Sequence, residues 1–277
     1  MTGTAILLLF TLIAAFPGLF TSVHHPEEAT FPPRLSPSTA HLLGTTALGQ
    51  DIYSQLIYGT RESLVIAIVA GALATVLSVI IGVSAAYLGG ITDDLLSLLT
   101  NVVLVIPAFP LVIILAKYAG KGSLTVILAV LVLTGWSYGA NQMRVQALSL
   151  RNRDFLASAR VRGERRSYII VRELLPTMTS LIVANFLGAA LYSVLSAAGL
   201  QFLGLGDPSS QSWGTMLYWA QNQQALQTGT PLWSIAPGLC VALLGVSFAL
   251  VNYAFDEIGN PALRPVRRRE RRRRGRA

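Results

Sequence analysis

The sequence predicts an all-α, polytopic membrane protein with six transmembrane helices, and three observations lead to that prediction. Only 12% of the 277 residues are charged, about half of the ~25% that is typical of soluble proteins. Six apolar runs approach or exceed the ~20 residues that a spanning helix needs. Backbone in lipid must satisfy its own hydrogen bonds, so these runs are expected to be helices. They cover residues 4–21, 64–88, 96–116, 123–138, 178–200 and 233–255, and none contains Asp, Glu, Lys, Arg or His.

The basic residues predict the orientation of these helices. Of the 21 Lys and Arg residues, 17 lie in residues 139–177 and 264–276. Because short cytoplasmic segments of membrane proteins are enriched in Lys and Arg, both termini are expected in the cytoplasm. The net charge of +8 therefore reflects topology, and no nucleic-acid partner is expected. The tail could also touch anionic lipid headgroups, although a solvated end is the simpler interpretation.

The expected organisation has three parts. Residues 1–61 form the first span and an extracytoplasmic segment, residues 62–260 form a five-span core with a cytoplasmic loop at 139–177, and residues 261–277 form a basic cytoplasmic tail. The first apolar run has no basic flank and no convincing cleavage site, so we interpret it as a retained span. Residues 48–57 predict a short amphipathic helix at the outer surface.

Two features inside the spans predict packing or a pathway. Small residues recur every four positions along the second span, which favours close approach of a neighbouring helix, either within the chain or in a second membrane subunit. They are Ala70, Ala74, Ser78, Gly82 and Ala86. Pro107 and Pro110 predict a kink in the third span.

The stretch DFLASARVRGERRSYIIVRELLP, residues 154–176, is dense in charge within an apolar chain. Its first part predicts a short helix with small residues on one face. Gly163 then allows a turn at positive φ, and a second helix leads toward the membrane. Such a helical elbow suits docking in a groove of another protein whose rim is acidic.

This stretch resembles the cytoplasmic loop of binding-protein-dependent ABC import permeases. Their motif reads approximately Glu-Ala-Ala, three residues, Gly, nine residues, Ile, one residue, Leu-Pro. The spacing from residue 157 to Gly163 and to Leu175-Pro176 agrees with it. Ala157 stands in place of the motif's Glu, and Glu173 in place of its Ile. The stretches LLGTTALGQDIYSQLIYGTRESL, AAYLGGITD and FLGLGDPSSQSWGTML are also similar, and they narrow the resemblance to the C-type permease subunit of the dipeptide/oligopeptide/nickel group.

The resemblance implies a type I ABC importer permease fold and an ATP-driven importer of dipeptides or short oligopeptides. It implies a second homologous permease subunit, two cytoplasmic ATPase subunits, an extracytoplasmic substrate-binding protein and a prokaryotic cell membrane. ATPase coupling is expected of Ala157, Ser158, Ala159, Arg160, Arg162, Gly163 and Glu164. The outer gate or a docking site for the binding protein is expected of Gly204, Gly206, Asp207, Trp213 and Gly214.

The chain itself is expected to be no enzyme and to bind no cofactor or metal, with ATP and Mg²⁺ held by the partner ATPases. A phosphate loop needs Gly, four residues, Gly-Lys and Ser or Thr, and AGKGS at 119–123 has the wrong order. Two alternatives are a secondary transporter and a membrane scaffold or sensor. Proton-driven transporters usually keep ionisable residues inside their spans, and these six runs have none.

Overall fold

A computed structural model describes residues 2–118 and 122–259, with side chains described through residue 255. The basic tail at 261–277 and most of AGKGS lie outside these residues. Within them the secondary structure is helical, apart from an isolated bridge between Thr45 and Asp51. The helices are α1 (Thr2–Ala15), α2 (Ile52–Leu88), α3 (Gly90–Val105), α4 (Ala108–Tyr118), α5 (Leu124–Arg151), α6 (Asp154–Val161), α7 (Arg166–Tyr168), α8 (Leu175–Thr177), α9 (Thr179–Phe202), α10 (Trp213–Asn222) and α11 (Leu232–Gly259).

The predicted spans correspond to α1, α2, the pair α3–α4, α5, α9 and α11. Among the described residues four helices, α2, α5, α9 and α11, are long and apolar enough to cross a membrane, and the bent pair α3–α4 makes a fifth. Helix α1 has 14 residues, fewer than the run at 4–21 predicts. It stops before Pro17 because a residue that precedes proline is disfavoured in the helical conformation, and a 3-10 turn at Pro17–Leu19 follows.

Helix α2 is longer than its predicted span. The separate surface helix expected at 48–57 is wrong, because Ile52 already begins the 37-residue α2. The Asp51 side chain caps it by accepting a hydrogen bond from the Ser54 amide at 2.8 Å. The proposed boundary at residue 61 thus lies within a continuous helix.

The small-residue ridge of α2 packs inside the chain. All five of its members are buried, and α2 runs along α5 and α9. At Gly71, a Cβ would lie 2.8 Å from the Ala190 backbone nitrogen of α9. A Cβ on Gly82 would likewise overlap the α5 backbone at Ala140. Helix α2 therefore approaches α9 and α5 closely because Gly71 and Gly82 have no side chain. The small-residue ridge packs against helices of the same chain.

The third span is broken rather than kinked. Helices α3 and α4 meet at an angle of 91°. Ile106 between them is extended, with φ −70° and ψ 128°, as expected for a residue that precedes proline. Pro110 falls in the first turn of α4, where its missing N–H costs little. Pro107 thus interrupts the span, and the break leaves non-helical backbone between the two halves.

Helix α5 continues well past the end of the fourth predicted span. It reaches Arg151, so residues 139–151 of the predicted cytoplasmic loop are helical. The remaining part of that loop is a compact set of short helices, from α6 to α8, which packs against the ends of α2, α5 and α9.

Candidate functional site

The elbow predicted at residues 154–176 is present. Helix α6 ends at Val161, and Gly163 follows with φ 77°. A Cβ at Gly163 would meet nothing within 4 Å, so the backbone conformation alone calls for glycine there. The chain then turns back through α7 toward the membrane helices. The elbow is therefore a defined turn and not an extended linker.

Helix α6 has an inner face that anchors it. Leu156 and Ala159 are completely buried. They belong to an apolar cluster with Val83 and Met143, from α2 and α5, and with Ile169 beyond the elbow. Burial of these side chains attaches α6 to the ends of the long helices, because removing apolar surface from water stabilises the contact.

The outer face of α6 has small, exposed side chains. Ala157 and Ser158 are exposed, and Val161 is 89% exposed. Together with Asp154 and Arg162 they line a shallow depression. Of the residues expected to couple to an ATPase, Ala159 thus faces inward, whereas Ala157, Ser158 and Gly163 are available to a partner.

The two arginines expected to meet an acidic partner have contacts within the chain. Arg160 Nη2 donates to the Arg151 carbonyl at 2.6 Å, and its guanidinium carbon lies 5.7 Å from the centre of the Tyr87 ring. Arg160 therefore joins α6 to the end of α5 and to α2. Such a side chain positions the elbow in addition to any contact it makes with a partner.

Arg162 explains one departure from the motif. Its guanidinium lies 3.7 Å from the Glu173 carboxylate and 4.0 Å from that of Glu164. Glu173 stands where the motif has Ile, so the apolar residue is replaced by an ion-pair partner across the elbow. Arg162 is 54% exposed, and such a pair contributes on the order of 0–1 kcal/mol to stability.

The backbone that returns from the elbow to α9 is irregular. Residues Ile169–Leu174 form a π-helical turn, and Pro176 follows in α8. The Thr177 hydroxyl donates to the Leu174 carbonyl at 2.7 Å, and the Thr179 hydroxyl donates to the Pro176 carbonyl. These side chains satisfy carbonyls at the irregular turns. Wide turns of this kind often occur at functional sites.

A second set of polar contacts fastens α5 to its neighbours near the elbow. Arg144 donates to both Asp93 carboxylate oxygens, at 2.6 and 2.8 Å, which ties α5 to the start of α3. Arg151 Nη1 donates to the Ala86 carbonyl at 3.2 Å, in the last turn of α2. A displacement of the elbow would therefore reach α2 and α5 through direct contacts, and α3 through its ion pair with α5.

The residues expected at the outer gate divide into two groups. Trp213 is fully buried, its indole N–H donates to the Leu56 carbonyl at 3.0 Å, and its ring meets Phe10 edge-on. Gly214 and Gly206 are also buried, and a Cβ on either would overlap the Gln201 side chain. Trp213 and Gly214 thus pack α10 against the long helices, and Gly206 packs the preceding loop against Gln201 of α9.

Gly204 and Asp207 form the exposed group. Gly204 has φ 75° at the end of α9, where glycine commonly ends a helix. Asp207 accepts hydrogen bonds from the Ser209 hydroxyl and amide at 2.6 and 2.9 Å. These bonds lower the pKa of the Asp207 carboxyl, so it stays ionised at neutral pH. Gly204 and Asp207 are therefore the residues of the expected outer site that are exposed to a soluble protein.

Sequence reasoning missed a polar network beneath the outer segment, residues 203–231 between α9 and α11. Gln201 is buried, donates to Glu62 at 3.2 Å and accepts a hydrogen bond from the Ser212 hydroxyl at 2.9 Å. Ser212 also caps α10 in a reciprocal capping box with Thr215. The serine three residues before Thr215 was the available sequence signal for this cap.

A cavity of about 560 Å³ lies beside the broken span. Its wall comes from the α3–α4 break and from α5, α9 and α11. Among the described residues that line it none is charged, and the polar side chains are Thr134, Ser137, Tyr138, Gln142, Asn185, Tyr192 and Asn252. Tyr138 is 66% exposed, so this chain alone does not close the cavity. The sequence indicated the kink but not that it shares a cavity with polar side chains of α5, α9 and α11.

Comparison with known proteins agrees with this architecture. Residues 75–258 match the model of the family described as binding-protein-dependent transport system inner membrane component. The oligopeptide transport system permease protein OppC of Mycobacterium bovis is 31% identical over 95% of this chain and 90% of its own length. The dipeptide transport system permease protein DppC of Bacillus subtilis is 31% identical over 95% of this chain and 81% of its own length. The glutathione transport system permease protein GsiD of Pectobacterium atrosepticum is 31% identical over 82% of this chain and 75% of its own length. The chain therefore belongs to the family of binding-protein-dependent transport system inner membrane components.

Proposed function

We propose that this chain is a permease subunit of an ATP-driven importer that takes up dipeptides or short oligopeptides. The observation that carries the proposal is the elbow, with a small exposed outer face and an inner face packed onto α2 and α5. Relatives that match almost the whole chain are named as oligopeptide and dipeptide permeases, which supports the peptide cargo. A second, homologous permease would complete the translocation pathway.

The elbow would serve as the coupling helix. An ATPase subunit that holds the exposed face of Ala157, Ser158 and Val161 would move α6 when it closes on ATP. Because Leu156 and Ala159 are buried against the long helices, that movement would shift α2 and α5. A partner can bias two conformations only through contacts that differ between them, and α6 offers such contacts.

The remaining partners follow from the same proposal. Two cytoplasmic ATPases would hold ATP and Mg²⁺, so this chain would not catalyse hydrolysis. An external binding protein would deliver the peptide to the outer segment, where Gly204 and Asp207 are exposed. The excess of Lys and Arg in 139–177 and 264–276 supports a cell-membrane topology with both termini in the cytoplasm. The three-part division at residues 61 and 260 remains part of this proposal.

Co-purification with the ATPases tests the coupling role. The chain is co-expressed with the second permease and the ATPase subunits and purified in detergent. Gly163→Val should lower ATPase recovery or coupled hydrolysis, because a β-branched residue is strained at φ 77°. Gly163→Asn should behave nearly as wild type, because Asn tolerates positive φ.

A matched control comes from the outer segment. Gly229 also has positive φ, 83°, and a Cβ there would likewise meet nothing within 4 Å. Gly229→Val carries the same backbone strain far along the chain from the elbow, and it should keep full ATPase recovery. Wild-type protein that recruits no ATPase, or equal behaviour of Gly163→Val and wild type, would overturn the proposal.

A further inference from the structure

A cleft of about 330 Å³ lies between the outer segment and the loop of residues 20–51 that precedes α2. The loop contributes Glu27 and Leu48 to its wall, and the outer segment contributes residues 208–211 and Trp219. Among the lining residues that the structure describes, Glu27 is the only charged one. The cleft therefore combines one negative charge with apolar and aromatic surface.

The position of Glu27 is fixed from both sides of the cleft. Gln50 Nε2 donates to the Glu27 carbonyl at 2.6 Å. Gln55 Nε2 donates to the carbonyl of the preceding residue, Pro26, at 3.4 Å. From the outer segment, Gln211 Nε2 donates to the Glu27 carboxylate at 2.6 Å. The loop backbone and the carboxylate are thus both held, while the Glu27 side chain remains 51% exposed.

The Glu27 carboxylate is charged and open to a further partner. A hydrogen bond with its own backbone, followed by those from Gln211 and His25, lowers the pKa of the Glu27 carboxyl, so it stays ionised at neutral pH. His25 Nδ1 lies 3.3 Å from the second carboxylate oxygen, and the His25 side chain is 70% exposed. A carboxylate offers about four acceptor positions, which leaves room for a donor from another molecule.

The rest of the wall suits a long basic side chain. The Trp219 indole N–H donates to the Pro208 carbonyl at 2.9 Å, which fixes the ring. Leu48 is 44% exposed. Lys and Arg pack their apolar stems on such surface and keep the cationic head free, and tryptophan rings attract cations. Arginine fits best, because its planar guanidinium can both pair with a carboxylate and stack on an aromatic ring.

The place of the cleft favours a protein partner over the transported cargo. None of the described residues that line it also lines the cavity beside the broken span. Asp207, which is expected at the outer docking site, is exposed and directly precedes Pro208 in the cleft wall. The cleft thus adjoins the surface at which the binding protein would deliver its cargo.

We infer that this cleft receives an arginine side chain of the extracytoplasmic binding protein, whose guanidinium pairs with Glu27 beside the Trp219 ring. The inference rests on the proposed function and adds to it the chemistry that holds the binding protein. Because Gln211 joins Glu27 to the outer segment, docking would engage both outer parts of the chain together.

The affinity of the binding protein for the complete importer tests the inference. The chain is assembled with the second permease and the ATPases in nanodiscs, and the purified cognate binding protein is titrated onto it. Glu27→Gln removes the charge but keeps an oxygen that can accept from Gln211. It should raise Kd about tenfold, as expected for loss of a hydrogen bond to a charged group. Trp219→Leu should raise Kd about two- to fivefold, the range of an exposed cation–π contact.

The neighbouring Glu28 provides the matched control. It is exposed but does not line the cleft. Glu28→Gln changes the net charge by the same amount, so a general electrostatic attraction would weaken equally in both variants. Direct pairing with Glu27 predicts that Glu28→Gln keeps Kd within about twofold of wild type, as is usual for an exposed surface charge.

A charge swap identifies the partner residue. Glu27→Arg should weaken binding, because it places two like charges in the cleft. Each exposed arginine of the binding protein is then replaced by Glu in turn, and one replacement should restore most of the affinity for Glu27→Arg. Restoration by none of them would contradict the pairing.

The outcomes separate the inference from the proposed function. If wild type binds the binding protein and imports a tripeptide, but Glu27→Gln keeps the wild-type Kd, the docking cleft is wrong and the importer stands. The docking cleft is also wrong if Glu27→Gln and Glu28→Gln weaken binding equally, or if Glu27→Gln lowers tripeptide import at an unchanged Kd, which would indicate contact with cargo. If wild type with all its partners neither binds the binding protein nor imports a tripeptide, both are wrong. Recovery of the partner subunits identifies a variant that fails to fold, and the charge swap then decides the question.

Discussion

Arg144 on α5 holds both carboxylate oxygens of Asp93 on α3, at 2.6 and 2.8 Å. The pair joins the first half of the broken span to the helix that leads into the elbow. Both side chains are partly buried, with 29% and 18% of their surfaces exposed. A paired guanidinium and carboxylate in this geometry form two parallel, charge-assisted bonds.

Loss of the Arg144–Asp93 pair should therefore lower the stability of the detergent-solubilised protein. Arg144→Lys keeps the charge but cannot form both bonds in the same plane. We expect a loss of about 1 kcal/mol, which corresponds to ~2–4 °C in Tm for a chain of this size. Thermal unfolding by intrinsic fluorescence measures it. In the Asp93→Asn background, Arg144→Lys should cost clearly less, and equal losses in both backgrounds would show that the pair contributes nothing.

A bulky side chain should have different effects on the two faces of α6. On the outer face it should block docking, and on the inner face it should destabilise the fold. Ala157 is exposed and Ala159 is completely buried, although they are two residues apart. Ala157→Trp should leave thermal stability within about 0.5 kcal/mol of wild type but reduce ATPase recovery by blocking the docking face. Ala159→Trp should destabilise the fold by ~1–3 kcal/mol through overpacking. Purification yield, melting temperature and ATPase recovery measured together distinguish the two effects, and a fully coupled Ala157→Trp would argue against docking at this face.

The close approach of α2 to α9 should make Gly71 intolerant of even one methyl group. Its Cβ would lie 2.8–3.0 Å from atoms of Ala190, two of them backbone, so the helices must move apart. Gly71→Ala is expected to destabilise by ~1–3 kcal/mol, a cost that exceeds the ~1 kcal/mol gained in helix propensity. Gly238 in α11 has nothing within 4 Å of a Cβ, and Gly238→Ala should be neutral or stabilising. Melting temperatures that rank the two variants in the opposite order would contradict the packing argument.

Ser212, which caps α10, should contribute more to stability than Ser123, the serine that caps α5. Ser212 is fully buried, caps α10 and also donates to Gln201. Ser212→Ala should cost ~1–2 kcal/mol and loosen the outer segment. Ser123 caps α5 through a longer, exposed contact of 3.5 Å, so Ser123→Ala is the matched control and should cost less. Limited proteolysis between residues 203 and 222 reports the loosening, and it should increase only for Ser212→Ala.

Local signals in the sequence predicted the elements that depend on neighbouring residues. Gly163 predicted a turn because glycine tolerates positive φ, and the chain adopts φ 77° there. Pro107 predicted a kink, but the 91° angle depends on how α3 and α4 pack against α5 and α9. Residues 48–57 looked like a separate helix because their pattern differs from the apolar run that follows. Residues 52–57 instead belong to α2, because nothing between Asp51 and Leu88 interrupts the helical ladder.

The sequence pattern could not predict contacts between residues that lie far apart along the chain. Arg160 and Arg162 looked available to an acidic partner, yet they contact the Arg151 carbonyl and Glu173. Trp213 looked like part of an outer gate and is buried against Phe10. In each case the deciding contact joins residues whose proximity depends on the packing of several helices, and no spacing along one helix encodes it.

The amino-acid sequence was enough to predict that this chain is a helical membrane protein, how its charge is distributed, and where its elbow lies. These properties follow from apolar run lengths, from basic-residue counts and from the backbone preferences of glycine and proline, all of which act locally. The packing of the helices shows which small residues are internal, which arginines are paired, and that Asn185, Asn252 and the α3–α4 break share one cavity. Those outcomes depend on side chains far apart in sequence, and only the packing of the helices against one another brings them together.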